Sequence, residues 1–205
     1  MSEARAALAL VVLLVGLAGL AFAHDLRAWN EALDRGDARF GVAPATARWH
    51  ADTWLPGRIS RQALALDDDL ALRRGEQAYA VARATPRGLD NGARQARVRA
   101  TAELALADAV AVGSHEQSSR AGNLLGVLVA TGDEGADASV GERRAGELFE
   151  AAVRADAENT DAKYNLELLL RRIRVVGTRE GTGSGSGDRG ASRRGAGSGT
   201  AGSGY

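Results

Sequence analysis

An uninterrupted apolar segment near the N-terminus, Ala6–Ala23, constrains this 205-residue chain more than any other feature. It contains no charged or strongly polar side chain. As an α-helix, these 18 residues are about 27 Å long at about 1.5 Å per residue, close to a bilayer core of about 30 Å. The segment therefore predicts a single-pass membrane protein that is attached through residues 6–23.

A cleaved secretory signal peptide is the competing interpretation of this segment. Ala21-Phe22-Ala23 resembles an A-x-A cleavage site, and Arg5 supplies a minimal positive charge ahead of the apolar run. The run is, however, longer than the usual signal core of about 7–15 residues. We therefore expect an uncleaved anchor, and a buried helix of a soluble protein is the remaining alternative.

The residues after the apolar run continue a helical spacing. Leu26, Trp29 and Leu33 are three and four residues apart, which predicts a helix over Asp25–Phe40. Basic residues are more frequent after the run than before it, so their distribution does not favour export of the body. Short N-termini ahead of a first span nevertheless often remain inside, and we expect the body to lie outside the cytoplasm.

A connector is predicted over Gly41–Arg61. Pro44 and Pro56-Gly57 interrupt any helix there, and Trp49 and Trp54 flank a polar turn. The two indoles have two possible positions. They lie in the lipid headgroup zone, where tryptophan is enriched, or they cap the open end of the helical region that follows. We favour the second position.

The remaining periodicity, from Leu66 to Val176, is helical and predicts an all-α fold. No stretch alternates with a period of two, and β-branched residues are sparse. Each successive helix has a face of small or apolar residues, namely Leu72, Gly75, Tyr79 and Ala82; Val98, Ala102, Ala105, Ala109 and Val112 within a helix from about Gly92 to Val112; Ala121, Leu124, Leu125 and Leu128; Ala145, Phe149 and Ala152; and Ala162, Leu166, Leu169, Ile173 and Val176.

Turn and capping residues separate these helices. Thr85–Gly88 contains a proline that ends the first helix, and Gly113-Ser114 supplies a stop followed by an N-cap. Asp133–Ser139 is a polar connection. Ser139 and Glu142 have the spacing of a capping box, so Ser139 is predicted to cap the next helix.

The last two helices show an ordered pattern of small and bulky residues. Ala145, Phe149 and Ala152 are followed by a polar turn at Asp156–Asn159, and then by the run Ala162–Glu167. This pattern resembles a tetratricopeptide repeat, a helix-turn-helix unit that builds binding surfaces when stacked. The proline that is usual in the turn is missing, and Glu167 stands where the family has glycine.

The resemblance extends upstream with a change of spacing. Asn123–Gly126 is similar to the opening of a first helix, but it precedes Asn165 by 42 residues, whereas the repeat period is about 34. An insertion in the Asp133–Ser139 region explains the difference. The resemblance implies a short array of antiparallel helix pairs, which consists of two degenerate repeats and a terminal capping helix.

A second, shorter resemblance concerns Tyr164–Arg172. This segment is similar to one in small membrane proteins of bacterial aerotolerance-type clusters. Such proteins are associated with MoxR-type AAA ATPases and von Willebrand factor A domain proteins. The resemblance implies those two classes as partners.

Metal and thiol chemistry find little support in the sequence. There is no cysteine, and His24, His50 and His115 lack the spacing of metal ligands. Asp67–Asp69 is the densest carboxylate cluster and is either a cation site or a helix start. We favour the helix start, because acidic residues there interact favourably with the helix dipole and provide caps.

No enzyme motif is present in its required context. Two G-x-G-x-x-G matches, Gly185–Gly190 and Gly197–Gly202, lack the preceding strand and following helix of a dinucleotide fold. There is no P-loop, G-x-S-x-G or H-E-x-x-H motif. We therefore predict no catalytic residue, no cofactor and no metal.

Charge gives no indication of nucleic-acid binding. The chain has 26 basic and 26 acidic residues and a net charge of zero. Arg171, Arg172 and Arg174 make the C-terminus mildly basic, but interleaved aromatic residues are missing. The glycine- and serine-rich segment Gly177–Tyr205 has too few apolar residues to offset its ordering entropy, and it predicts a disordered tail.

These expectations divide the chain into four parts. Residues 1–23 are a membrane anchor or signal peptide, 24–61 a membrane-proximal helix and connector, 62–176 the repeat-like domain and 177–205 the tail. The expected function is a non-catalytic, membrane-anchored scaffold that binds a protein or peptide. The alternative is an exported soluble helical protein that binds a small ligand or has an unrecognised catalytic activity. The sequence assigns no partner-binding residue.

Overall fold

The computed structural model describes residues 2–86, 91–132 and 138–183, and within these ranges the chain is helical without a β-strand. The predicted all-α class is therefore confirmed. The helices are α1 (Ser2–Val42), α2 (Gly57–Ala63), α3 (Asp67–Ala84), α4 (Gly92–Val112), α5 (His115–Ala130), α6 (Ala138–Ala155) and α7 (Thr160–Gly183), with a short 3-10 helix at Pro44–Thr46.

The first helix is continuous through its apolar and polar halves. It is 41 residues long, and its most apolar 18-residue window has a mean hydropathy of 2.7 and no residue buried against the rest of the protein. Within the described residues it is the one helix that is long and apolar enough to cross a membrane. A signal sequence meets the same criterion. The predicted continuation over Asp25–Phe40 is confirmed.

The polar half of α1 packs in a small core with the connector and α3. Trp29, Ala32, Ala51 and Leu70 are its buried members. Leu26 is 43% exposed and does not belong to this core, contrary to the predicted face.

Close packing in this core depends on a glycine of α1. The indole of Trp49 lies directly over Gly36, where a Cβ atom would collide with the ring. The Trp49 Nε1–H donates to Asp37 Oδ1 at 2.7 Å. Trp49 is thus fixed against α1 by packing and by a hydrogen bond.

The connector contains two short helices that the sequence pattern did not predict, the 3-10 helix and α2. The predicted interruptions hold, since Pro44 begins the 3-10 helix and Pro56 immediately precedes α2. Gln77 of α3 donates hydrogen bonds from Nε2 to the carbonyl oxygens of Pro44 and Ala47, each at 2.8 Å. These bonds hold the connector against the helical array.

Helices α3 to α7 form a stack in which each helix packs on the next, while α3 also contacts α5 and α5 contacts α7. Contacts between α5 and α6 run in opposite directions, since Gly122 faces Ala152 whereas Gly126 faces Phe149. Neighbouring helices α5 and α6 are therefore antiparallel. The buried members of the main core are Ala71, Leu72, Ala102, Leu106, Ala109, Ala121, Leu125, Leu128, Val129, Ala145, Phe149 and Leu169.

The predicted boundaries of α4 and α5 are confirmed. Helix α4 spans Gly92–Val112, and Ser114 caps α5 in a capping box with Gln117. The predicted face of α4 is partly wrong, because Leu106 is fully buried whereas Val112 is 51% exposed.

Two boundaries differ from the prediction. Helix α6 begins at Ala138, so Ser139 lies within the helix and does not precede it as an N-cap. The other residues of the predicted connection, 133–137, lie outside the described residues.

Helix α7 continues to Gly183, beyond the predicted tail boundary at Gly177. Each residue added to an existing helix gains a backbone hydrogen bond, which extends α7 past Gly177 and Gly181 to Gly183. The remainder of the predicted tail, 184–205, lies outside the described residues.

The outer face of α7 is unusually apolar for the end of an array. Ile173, predicted to lie in the core, is 40% exposed. Other exposed apolar or aromatic side chains of α7 are Tyr164, Leu168, Leu170 and Val175. Terminal capping units normally present a polar outer face.

Candidate functional site

A groove of about 550 Å³ lies where α3, α5 and the start of α7 meet. We call it the acidic groove. It is lined by Phe40 from α1; Glu76, Tyr79 and Ala80 from α3; Glu116, Arg120, Asn123 and Leu124 from α5; and Asp156, Glu158, Asn159, Thr160 and Asp161 at the start of α7. Five of these side chains are carboxylates and one is a guanidinium. Its walls are therefore predominantly negative.

Helical spacing brings the groove residues onto common faces. Glu76, Tyr79 and Ala80 are three and four residues apart on α3. Glu116, Arg120 and Asn123–Leu124 repeat this spacing on α5. Because α3 contacts α5 and α5 contacts α7, the faces of alternate helices form one continuous surface.

A hydrogen bond between two asparagines joins α5 to α7 beside the groove. Asn165 Nδ2 donates to Asn123 Oδ1 at 2.9 Å. Asn123 is 7% exposed. Its Oδ1 accepts this bond, whereas its Nδ2 donates no hydrogen bond to any described residue. These are the two asparagines that the repeat resemblance pairs at a spacing of 42 residues.

A second hydrogen-bonded network fixes the turn that begins α7. The Ser119 hydroxyl is fully buried, donates to the Ala152 carbonyl oxygen at 2.7 Å and accepts from Asn159 Nδ2 at 2.8 Å. Asn159 Oδ1 in turn accepts from the Ala162 N–H at 3.0 Å, as an N-cap does. This network holds α5, α6 and α7 in register below the groove.

Glu76 is the most buried carboxylate of the groove. Its side chain is 16% exposed, and Arg120 Nε lies 2.6 Å from its Oε1. That contact is an ion pair without hydrogen-bond geometry, and Oε1 accepts no hydrogen bond from the described residues. Burial raises the pKa of Glu76, although the charges of Arg120 and Arg73 act in the opposite direction. Oε1 is therefore held by charge, without a well-aligned hydrogen bond.

The polar half of α1 is held against the same part of the molecule. Asp37 accepts hydrogen bonds from Arg73 Nε at Oδ1 and from Arg73 Nη2 at Oδ2, both at 2.9 Å. This pairing raises the pKa of Arg73, and Asp69 contributes to the shift. Phe40, one turn after Asp37, supplies the groove wall from α1.

The three histidines do not converge. His24 lies in α1 and stacks on Trp54, while His115 begins α5 and is exposed. His50 lines a separate crevice with Arg35, Arg39 and Arg48. In the described part of the chain no three histidine or carboxylate side chains form a group that could hold a metal.

Asp67–Asp69 begins α3, as the helix-start interpretation predicted. Asp67 accepts from Arg61 Nε at 3.0 Å, and Asp69 pairs with Arg73. The capping part of that prediction is wrong, because the N-cap is Leu66 and no side chain caps the helix.

Another crevice, of about 480 Å³, lies between the ends of α3, α4 and α5. Its Arg99 already donates to the Leu128 carbonyl oxygen at 2.6 Å and to Glu103 at 3.1 Å. Its wall reaches Pro86 and Thr131, next to residues that are not described. The acidic groove, with its excess of carboxylates, is the better candidate site.

The chain matches no protein-family model, and no curated protein or solved structure is significantly similar to it. The tetratricopeptide resemblance and the similarity to proteins associated with MoxR-type ATPases therefore stay predictions.

Sequence reasoning did not identify the groove carboxylates. Glu76, Glu116 and Glu158 are ordinary acidic residues in a chain of zero net charge, and no motif distinguishes them. The repeat resemblance, which aligns Asn123 with Asn165, was the one sequence signal that concerned residues beside the groove.

Proposed function

We propose that this protein is a non-catalytic, membrane-anchored helical scaffold that binds a basic, extended segment of a partner protein in the acidic groove. Residues 6–23 provide the anchor, and the body lies outside the cytoplasm. The excess of carboxylates in a groove formed by alternate helices is the observation that carries this proposal.

The packing of the array supports a repeat-like interpretation. Pairs α3/α4 and α5/α6 pack most closely, and the first helices of successive pairs are in contact, α3 with α5 and α5 with α7. Stacked helix pairs create an extended surface of this kind. In this proposal α3/α4 and α5/α6 are two degenerate repeats and α7 is the terminal helix.

Charge complementarity favours a basic ligand. Five carboxylates close to one another repel, and a Lys- or Arg-rich segment relieves that repulsion while steering association. The buried Oε1 of Glu76 and the side-chain amide of Asn123 add a hydrogen-bond acceptor and a donor. A peptide backbone and a basic side chain together satisfy both groups.

The similarity of Tyr164–Arg172 to proteins associated with MoxR-type ATPases suggests partners to screen first. MoxR-type AAA ATPases and von Willebrand factor A domain proteins are the two classes. A basic surface segment on either one is the feature that this proposal requires.

Two tyrosines provide a matched pair of probes for the binding site. Tyr79 lines the groove, whereas Tyr164 is 65% exposed on the outer face of α7. A photocrosslinking amino acid replaces each in turn in the full chain, followed by irradiation in cells and mass spectrometry of the products. We expect crosslinks from position 79 to one Lys- or Arg-rich protein segment, and none to that segment from position 164.

Charge neutralisation tests the same site with a control of equal charge. One variant combines Glu116→Gln, Glu158→Gln and Asp161→Asn in the groove. The control combines Asp108→Asn, Glu147→Gln and Glu150→Gln, three exposed acids outside it. Only the groove variant should lose the crosslinked partner. Equal loss in both variants would show that net charge, and not the groove, attracts the partner.

The anchor is tested by fractionation. Alkaline washing should leave the protein in the membrane fraction, with Met1 or Ser2 still at its N-terminus. Recovery of soluble protein that begins at His24 would contradict the anchor and favour the exported alternative.

A further inference from the structure

The connector is tied to α1 immediately after the apolar segment ends. Asp25, two residues beyond Ala23, is completely buried. Its carboxylate accepts hydrogen bonds from the backbone N–H of Trp54 at 2.7 Å and of Leu55 at 3.2 Å. A buried carboxylate that bonds two backbone N–H groups fixes this loop at the level of the first helical turn after residue 23.

Trp54 itself remains on the surface. Its ring stacks on His24, with centroids 4.2 Å apart and planes inclined by 11°, yet the residue is 62% exposed. This large aromatic ring therefore contributes little to the protein core. Its only described ring partner is the residue that directly follows Ala23.

Helix α2 continues the same surface. Its inner side is fixed because the buried Ser60 hydroxyl accepts from Trp29 Nε1 at 3.1 Å. Ile59 is 53% exposed and Arg58 is exposed on the other sides of this short helix. Trp54, Arg58 and Ile59 are thus all exposed within six residues of the chain, and we treat them as one patch of an aromatic, a basic and an aliphatic residue.

We propose that this patch, the Trp54–Ile59 surface, lies in the lipid headgroup region and seats the body on the bilayer. The proposal rests on the membrane anchor of the proposed function. The patch reaches α1 through the stacking of Trp54 on His24, and Phe22, two residues earlier on α1, is 40% exposed. Tryptophan is enriched at this depth, and arginine interacts favourably with anionic headgroups.

The three tryptophans provide an internal measure of depth. Trp54 lies at the level of residue 24, and Trp49 packs on Gly36, 12 residues further along the same helix. At about 1.5 Å per residue, Trp49 is about 18 Å further from the apolar segment. The headgroup region adds only about 5–8 Å on each side of the bilayer core, so Trp49 lies beyond it.

Lipid-dependent quenching of fluorescence tests this difference. Two full-length proteins share the substitution Trp29→Phe, one with Trp49→Phe and the other with Trp54→Phe. Each is reconstituted into phosphatidylcholine vesicles whose acyl chains carry bromine close to the headgroup. We expect the protein that retains Trp54 to lose about half of its emission, because its indole lies near the interface. The protein that retains Trp49 should lose almost none.

The absence of cysteine permits an independent measurement that keeps all three tryptophans. Spin labels are attached at Ile59→Cys and, as a control, at the exposed connector position Arg48→Cys. The label at position 59 should be more accessible to oxygen, which partitions into lipid, than to a water-soluble nickel reagent. The label at position 48 should show the reverse.

The outcomes separate this proposal from the anchor on which it rests. If the protein resists alkaline extraction but Trp54 and the label at position 59 behave as in water, the interfacial patch is wrong and the anchor stands. If alkaline washing releases the protein from the vesicles, both are wrong. Equal quenching of Trp49 and Trp54 would also overturn the proposal, because it would show that the body is immersed without the proposed orientation.

Discussion

The contact between Gly126 and Phe149 permits a quantitative test of the helical core. Phe149 is 2% exposed, and a Cβ atom at position 126 would lie 2.6 Å from its Cε1 atom. Gly126→Ala gains about 1 kcal/mol of helix propensity but incurs about 1–3 kcal/mol of overpacking. We expect a net loss of stability. Gly122→Ala, one turn earlier on α5, is the matched control, since its Cβ would meet Ala152 at an ordinary 3.6 Å. That substitution should stabilise the protein by up to about 1 kcal/mol.

Removal of the ring reverses the effect at position 126. Phe149→Ala alone should cost about 3–5 kcal/mol, a large part of a typical stability of about 5–15 kcal/mol. In that background Gly126→Ala no longer meets the ring, so it should stabilise by about 1 kcal/mol. The two substitutions should therefore couple by about 1–3 kcal/mol in a double-mutant cycle. Denaturant unfolding of the detergent-solubilised full chain, followed by helical circular dichroism, measures each value. Additivity of the two substitutions, or stabilisation by Gly126→Ala alone, would refute this packing.

Three further predictions concern polar groups and the C-terminal segment. Because the pKa of Glu76 is raised by burial, stability should fall as pH rises from the ordinary Glu pKa through the raised value. Unfolding titrations should show this slope in the wild type and lose it in Glu76→Gln; equal slopes would contradict the burial of the carboxylate. Ser119→Ala should cost about 1–3 kcal/mol in unfolding free energy, since it removes the hydroxyl's bond to the Ala152 carbonyl oxygen and leaves the Asn159 side-chain amide without its acceptor. The exposed Ser139→Ala is its control, and equal effects would argue against the network. Truncation after Gly183 should leave helicity and melting unchanged, because residues 184–205 are rich in glycine and serine. Unfolding of the truncated protein would show that this segment stabilises the fold.

Periodicity was sufficient to predict α3 to α7, but not the two short helices of the connector, because only the longer helices contain several repeats of the helical spacing. Small and apolar residues at spacings of three and four identified α3 to α7, and Gly113-Ser114 marked the boundary between α4 and α5. The errors concerned which residues of a helix are buried, because tertiary contacts determine which of two similar helix faces packs in the core. Leu106, not Val112, is buried because Gly75 of α3 lets α4 approach at that position, within about 3.0 Å of a Cβ on residue 75.

The candidate site was less predictable because its carboxylates follow no local motif and several polar residues that position the surrounding elements are buried. Hydrophobic patterns assign polar residues to the surface, yet Asp25 and Ser119 are completely buried and the Glu76 side chain is only 16% exposed. Their partners are distant in sequence, since Asp25 bonds to residues 29 and 30 positions away and Ser119 to residues 33 and 40 positions away. No local window contains both members of such a pair.

Polar residues with little exposure have two different roles in this molecule: Ser119 stabilises the helical array, whereas Glu76 faces the groove. Ser119 is fully bonded, so its network stabilises the array without offering an atom to a ligand. Glu76 has a carboxylate oxygen that accepts no hydrogen bond from the described residues, and it faces the groove. In the free protein this oxygen has only its ion pair with Arg120, and a basic group bound in the groove adds a second favourable charge contact. The acidic groove therefore gains more from a basic ligand than the rest of the surface does, which is why neutralisation there should have a different effect from neutralisation elsewhere.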